Sequence, residues 1–204
     1  NLFTELTDQT QWDHPRHPMR GGVIQASREL AALAKEVPDK AIRLTLQMMP
    51  GRNGIAVGAV LRALGESKFD ALSLYSLVLE LNQKGFDDHD FRVCAADAVG
   101  SVVKSDTPLP DALFDSLISW LHDDPESQSP EQDKEDAEEK DQAGSILWGY
   151  GGIIILPDGN YPVLSALTRA CLSLEPPNAD KWLSILESHL RREERLKVWG
   201  ALAH

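Results

Sequence analysis

The chain has 204 residues, 42% of them hydrophobic, with 32 acidic side chains against 20 basic ones and a formal net charge of −12. A chain of this size buries roughly 70% of its unfolded surface, so one core, or one run of stacked repeats, holds it without staples. The acidic balance disfavours nucleic acid and anionic membranes as partners, since both are bound through Lys and Arg, and no apolar run approaches the length of a membrane span.

Taken in chain order, the apolar periodicity is helical almost throughout. Met19 to Val37 reads as a helix with Val23, Leu30, Leu33 and Val37 on one side, stopping before Pro38. Pro38 suits a first turn, and Ala41, Ile42, Leu44, Leu46 and Met49 carry a second helix to the breaker Pro50-Gly51-Arg52-Asn53-Gly54. Further helices are expected over Ile55 to Leu64, Phe69 to Gln83, Asp90 to Val103 and Pro110 to His122. After an interruption come Asn160 to Leu174 and Asn178 to Leu190, with Asn160 and Asn178 as N-caps, and then Glu193 to Ala203. Short links between such helices mean antiparallel neighbours. Met19, Ile55 and Phe91 stand 36 residues apart, followed by Val23, Ala59 and Ala95, then Ile24, Val60 and Ala96. A repeated register of this kind belongs to stacked hairpins, each leaving apolar surface that only the next copy covers.

Phe91-Arg92-Val93-Cys94-Ala95-Ala96-Asp97-Ala98-Val99-Gly100-Ser101-Val102 resembles the second helix of a HEAT repeat, with the apolar-Arg start, the paired Ala and the later Gly. Met19-Arg20 with Val23, Ile24 and Ala26 resembles it more loosely. Ile55 to Gly65 is looser still, with Ala56 in place of the Arg. The Trp, Leu-Gly and Tyr signature of tetratricopeptide repeats is not recognisable. The resemblance to the armadillo/HEAT superfamily implies an all-α fold, a right-handed α-α superhelix of about five HEAT-like hairpins. The repeats fall at 1–36, 38–65, 68–104, 110–174 and 178–204, forming a single repeat domain over 1–204. Ala95, Ala98 and Gly100 have a packing reason as well, because small residues let a neighbouring helix approach closely.

The interruption is abrupt. Between Asp123 and Gln142 stand ten acidic residues and two lysines, so this stretch holds −8 of the total −12. With almost no apolar residue it cannot offset its ordering entropy, and a flexible acidic insertion over 123–145 is expected, either a solvated loop or a lure for a basic partner. Next come Ile146-Leu147-Trp148-Gly149-Tyr150-Gly151-Gly152-Ile153-Ile154-Ile155-Leu156, the least helical part of the chain. These apolar side chains either plug the groove between repeats or contact a partner. Trp148, Tyr150, Ile153, Ile154 and Tyr161 are the candidate partner-binding residues.

Catalytic chemistry is not signalled. Gly149 to Gly152 lacks the Lys and Ser or Thr of a phosphate-binding loop. His14 and His17 lie in a proline-rich turn. Asp87-Asp88-His89-Asp90 reads as a helix cap, and Cys94 and Cys171 as buried small residues with neither metal nor disulfide spacing, which suits a reducing compartment. His122 and His189 sit near helix C-termini, and Trp12, Trp120, Trp182 and Trp199 fit amphipathic helices. No catalytic, cofactor or metal residue is assigned, and no cofactor is expected. The expectation is a cytoplasmic, non-catalytic scaffold for protein partners, or the recognition arm of a larger multidomain protein. A start at Asn1 in mid-repeat and an end at His204 without a polar cap suit a piece of a longer array, which could self-associate through its terminal repeats. The resemblance also admits the sensor segment of a signalling NTPase and, disfavoured by the weakly charged body, HEAT-like enzymes such as DNA glycosylases and bilin lyases.

Overall fold

The computed structural model describes residue 7 and residues 22–67, 69–122 and 161–190. Eight helices make up the described part: α1 (Val23–Glu36), α2 (Pro38–Thr45), α3 (Gly54–Glu66), α4 (Ala71–Lys84), α5 (His89–Val102), α6 (Asp111–His122), α7 (Tyr161–Leu172) and α8 (Ala179–Leu190). There is no strand among these residues beyond an isolated bridge between Lys104 and Thr107. The all-α expectation is met. The final expected helix, Glu193 to Ala203, lies outside the described residues, as do the acidic insertion, Trp12 and Trp199.

Local chemistry sets the boundaries. Val37, ahead of Pro38, leaves the helical region at φ −137° and ψ 71°, which ends α1, and Pro38 opens α2. Asp70 caps α4 by accepting from the Ser73 amide at 2.9 Å. The same helix closes on Gly85 in the left-handed region at φ 104°, with the Phe86 amide reaching back to the Leu81 carbonyl at 3.1 Å. A side chain is strained in that conformation, and glycine is not. Asp88 caps α5 through the Phe91 amide at 3.0 Å, and Asn178 caps α8 through the Lys181 amide at 3.1 Å.

Two expected elements are corrected. The first helix does not run through from Met19, because Gly22 is extended and serves as the N-cap of α1. Its buried stripe is Val23, Ser27, Leu30 and Ala34, while Val37, off the helix in its pre-proline conformation, is 46% exposed. The second helix stops at Thr45 rather than running to Met49. Thr45 turns its hydroxyl onto the Ala41 carbonyl at 2.9 Å. Beyond it the chain tightens into i to i−3 bonds, Gln47 to Leu44 at 3.1 Å and Met48 to Thr45 at 3.0 Å, and the Leu46 and Met48 carbonyls are taken by the Lys84 ammonium at 2.5 and 2.7 Å.

The helices form two layers. In the first, α1, α3, α5 and α7 lie side by side, and the most extensive packing among the described helices joins α1 to α3, α3 to α5 and α5 to α7. In the second, α2 packs on α1 and α3, α4 on α3 and α5, and α6 and α8 on α7. One continuous apolar core runs between the layers, from Leu30 and Ala41 through Leu61, Leu74 and Phe91 to Leu117, Leu164 and Ile185.

Small residues set the spacing of the first layer. A Cβ at Gly65 would stand 2.7 Å from the Ala98 Cα, one at Gly58 3.0 Å from the Cys94 sulfur, and one at Gly100 3.4 Å from the Ala166 Cα. Backbones in this layer therefore approach as closely as glycine and alanine allow. Ion pairs tie the same seams: Lys35 to Glu66 at 2.6 Å between α1 and α3, and Arg62 to Asp97 at 2.9 Å between α3 and α5. Arg169 of α7 donates to the Gly100 carbonyl at 2.8 Å, near the C-terminus of α5, where a cation is favoured.

The register differs from the 36-residue spacing. N-caps Gly22, Asn53 and Asp88 stand 31 and then 35 residues apart, and the two ion pairs join positions at those same separations. The burial pattern agrees. Leu30, Leu61 and Ala96 are all buried at these offsets, whereas Ile24, grouped with Val60 and Ala96 in the 36-residue register, is 58% exposed.

Candidate functional site

Of the candidate partner-binding residues, Trp148, Tyr150, Ile153 and Ile154 lie outside the described residues. Tyr161 is the first residue of α7. The caps and turn residues singled out in sequence are placed as structural groups. Asp88 caps α5, and its carboxylate lies against Gly54 at the start of α3, where a Cβ would run into both oxygens. One carboxylate thus faces the N-termini of two helices, where negative charge is favoured. Asp87 lies 4.0 Å from Arg92, and His89 and Asp90 are exposed in the first turn of α5.

The nucleophilic and titratable groups sit in packed surroundings. Cys94, between α3 and α5, is half-buried, and Cys171 is buried. Burial pushes the Cys94 thiol up to about 11; Arg62 opposes that shift, while Asp97, Asp90 and Asp88 add to it. Cys171 is raised by burial, with Lys181 acting against it. A thiol so shifted is a poor nucleophile at neutral pH. Tyr75, pushed up to about 12 by burial, donates to the Thr107 carbonyl at 3.3 Å and holds the loop after α5 against α4. Trp120 and Phe91 stack edge to face at 5.8 Å in the core, and Trp182 packs at its margin. No group of three or more His, Cys, Asp or Glu placed to hold a metal occurs among the described residues. No helix there is long and apolar enough to cross a membrane.

The surface feature that sequence reading did not find is a groove of about 360 Å³ between α2 and α4 in the second layer. Ile42 lines it from α2; Leu72, Ser73, Ser76, Leu77 and Glu80 line it from α4. Its walls are unequal, α2 having 8 residues and α4 14. The core stripe of α4 is Leu74, Tyr75, Leu77, Val78 and Leu81, and Leu72 falls off that stripe, 59% exposed. Two signals were present: a breaker at Pro50-Gly51 only twelve residues after Pro38, and one leucine out of phase on α4.

Comparisons with family models, with curated proteins and with solved structures return no match to this chain.

Proposed function

We propose that the chain is a non-catalytic scaffold for protein partners, the recognition arm of a larger multidomain protein, built as a right-handed α-α superhelix of HEAT-like hairpins with boundaries near 1–36, 38–65, 68–104, 110–174 and 178–204. The observation that carries this reading is the sequential row of α1, α3, α5 and α7, in which, among the described residues, the extensive contacts within the row run from each helix to the next. A closed bundle would bring the last helix back onto the first. An open row instead leaves long surfaces on both layers, which is how repeat arrays present themselves to partners. Glycine and alanine narrow the first layer, while Tyr75, Phe91 and Trp120 fill the space toward the second. That difference favours a curve with the first layer inside.

The insertion between α6 and α7 carries Trp148, Tyr150, Ile153 and Ile154, which with Tyr161 are the proposed contact residues on that arm. Affinity purification of the full chain against a Trp148→Ala/Tyr150→Ala double variant tests the assignment. A reproducible set of proteins lost from the variant supports it, and an identical set in both overturns it. Photo-crosslinking groups at Arg28 and Ser76, one on each layer, test the scaffold reading itself. Crosslinks to other proteins in cells are expected, and none from either layer would sink it.

A further inference from the structure

We propose that the groove between α2 and α4 receives an amphipathic helix of a protein partner, its apolar side chains seated on Ile42, Leu72 and Leu77 and a basic residue set opposite Glu80. This rests on the scaffold reading and commits it to one surface. The groove is held open by the fold. Lys84 of α4 bonds the Leu46 and Met48 carbonyls just past α2, which ties the ends of the two walls together and fixes their separation. A preformed groove spares a ligand the cost of ordering it.

Its walls select a helix. Both sides are α-helices whose backbone groups are satisfied internally, so an added strand has nothing to pair with and docking must be through side chains. Ser73 and Ser76 are small, and Ser76 is already bonded to the Leu72 carbonyl at 2.9 Å, which gives a flat stretch that a second helix can approach. Leu72 and Glu80 lie on α4 eight residues apart, about 12 Å along the axis at 1.5 Å per residue. The matching ligand therefore carries apolar residues one turn apart and a cation about two turns on.

Charge fixes its sign. Glu80 is exposed, forms no ion pair among the described residues and is the one charged side chain lining the groove. A second copy of the chain would bring a formal charge of −12 against it, so a basic helix is the better complement.

A yeast-displayed library of 20-residue amphipathic helical peptides, panned on the full chain with the Leu72→Glu variant as counter-target, tests this. Selected peptides should share an apolar pair and a Lys or Arg about two turns along. In fluorescence anisotropy a selected peptide should bind Leu72→Glu and Glu80→Lys about tenfold more weakly. Binding to Glu80→Lys should return when the peptide's basic residue is changed to Glu. Both substitutions are at exposed positions, and unchanged circular dichroism checks the fold. The proposal is overturned by a library that yields no peptide preferring the chain to Leu72→Glu, by peptides indifferent to Glu80→Lys, or by a dimer in light scattering that Leu72→Glu dissolves. A partner set still lost from the Trp148/Tyr150 variant would then leave the scaffold reading standing without this groove.

Discussion

At the scale of single residues, the first layer is governed by what is missing from Gly65 and by what surrounds Cys94. A methyl at Gly65 meets the backbone of Ala98 at 2.7 Å, and backbone has no rotamer by which to move away. Gly65→Ala should therefore destabilise the chain by about 1 to 3 kcal/mol, although alanine is the better helix former. Urea unfolding measures this, and a stabilised variant would mean that α3 and α5 are not so closely apposed. Cys94 gives a pH-dependent check on the same seam. Its folded value lies near 11, above the usual 9, so its contribution to stability is complete below pH 9 and is lost as pH rises toward 11. Cys94→Ala should remove that share of the alkaline loss. In the intact chain at pH 8, alkylation of Cys94 should run about a hundredfold slower than that of a free cysteine peptide, because so little thiolate is present. A free-thiol rate would place the side chain in water instead.

At the scale of elements, what sequence reading could reach was whatever local chemistry decides. The Pro38 boundary, the Asp88 and Asn178 caps and the Pro50-Gly51 break each depend on residues within a turn of the boundary, and each appears in the structure. The end of α2 was not legible. Leu46 and Met49 continue a helical pattern, but past Thr45 the chain tightens into i to i−3 bonds, and the Leu46 carbonyl, which Pro50 has no N–H to satisfy, is taken by Lys84, 38 residues beyond it. The register was missed for a related reason. Ile24 looks like Val60 and Ala96 in type, but caps and ion pairs set the offsets at 31 and 35, and these place it in solvent. The groove stayed hidden because Ile42 and the α4 residues that line it meet only in the folded chain, thirty or more residues apart in sequence. Lys84→Met tests this account, since it keeps the aliphatic stem and removes the donor. It should cost about 1.5 kcal/mol, the lower end of the range for a hydrogen bond to a charged group, because the side chain is exposed. Hydrogen exchange should quicken at residues 46–53 while α4 stays protected. Unchanged exchange in that loop would show that its conformation is fixed without Lys84.

At the scale of the whole molecule, an open row of helices, as proposed, should lose structure by position, whereas a closed core should lose it all at once. Phe91 stands at the centre of the row. Its ring lies 5.8 Å from both Phe86 and Trp120, and its helix packs on α3, α4 and α7. Phe91→Ala should cost about 3 to 5 kcal/mol, a large share of the 5 to 15 kcal/mol typical of a domain, and should cut the row in its middle. Leu30, buried in α1, occupies one end. Leu30→Ala should cost about 2 to 5 kcal/mol at its own site, but that loss has only α1 through α3 to act on directly. Native-state hydrogen exchange separates the two architectures. In a sequential array, Phe91→Ala lowers protection in α3, α5 and α7 together, while Leu30→Ala opens α1 and α2 and leaves α5, α6 and α7 near their original protection. Equal loss of protection throughout the chain in both variants would mean a single closed cooperative unit, and would remove the open row on which the scaffold reading stands.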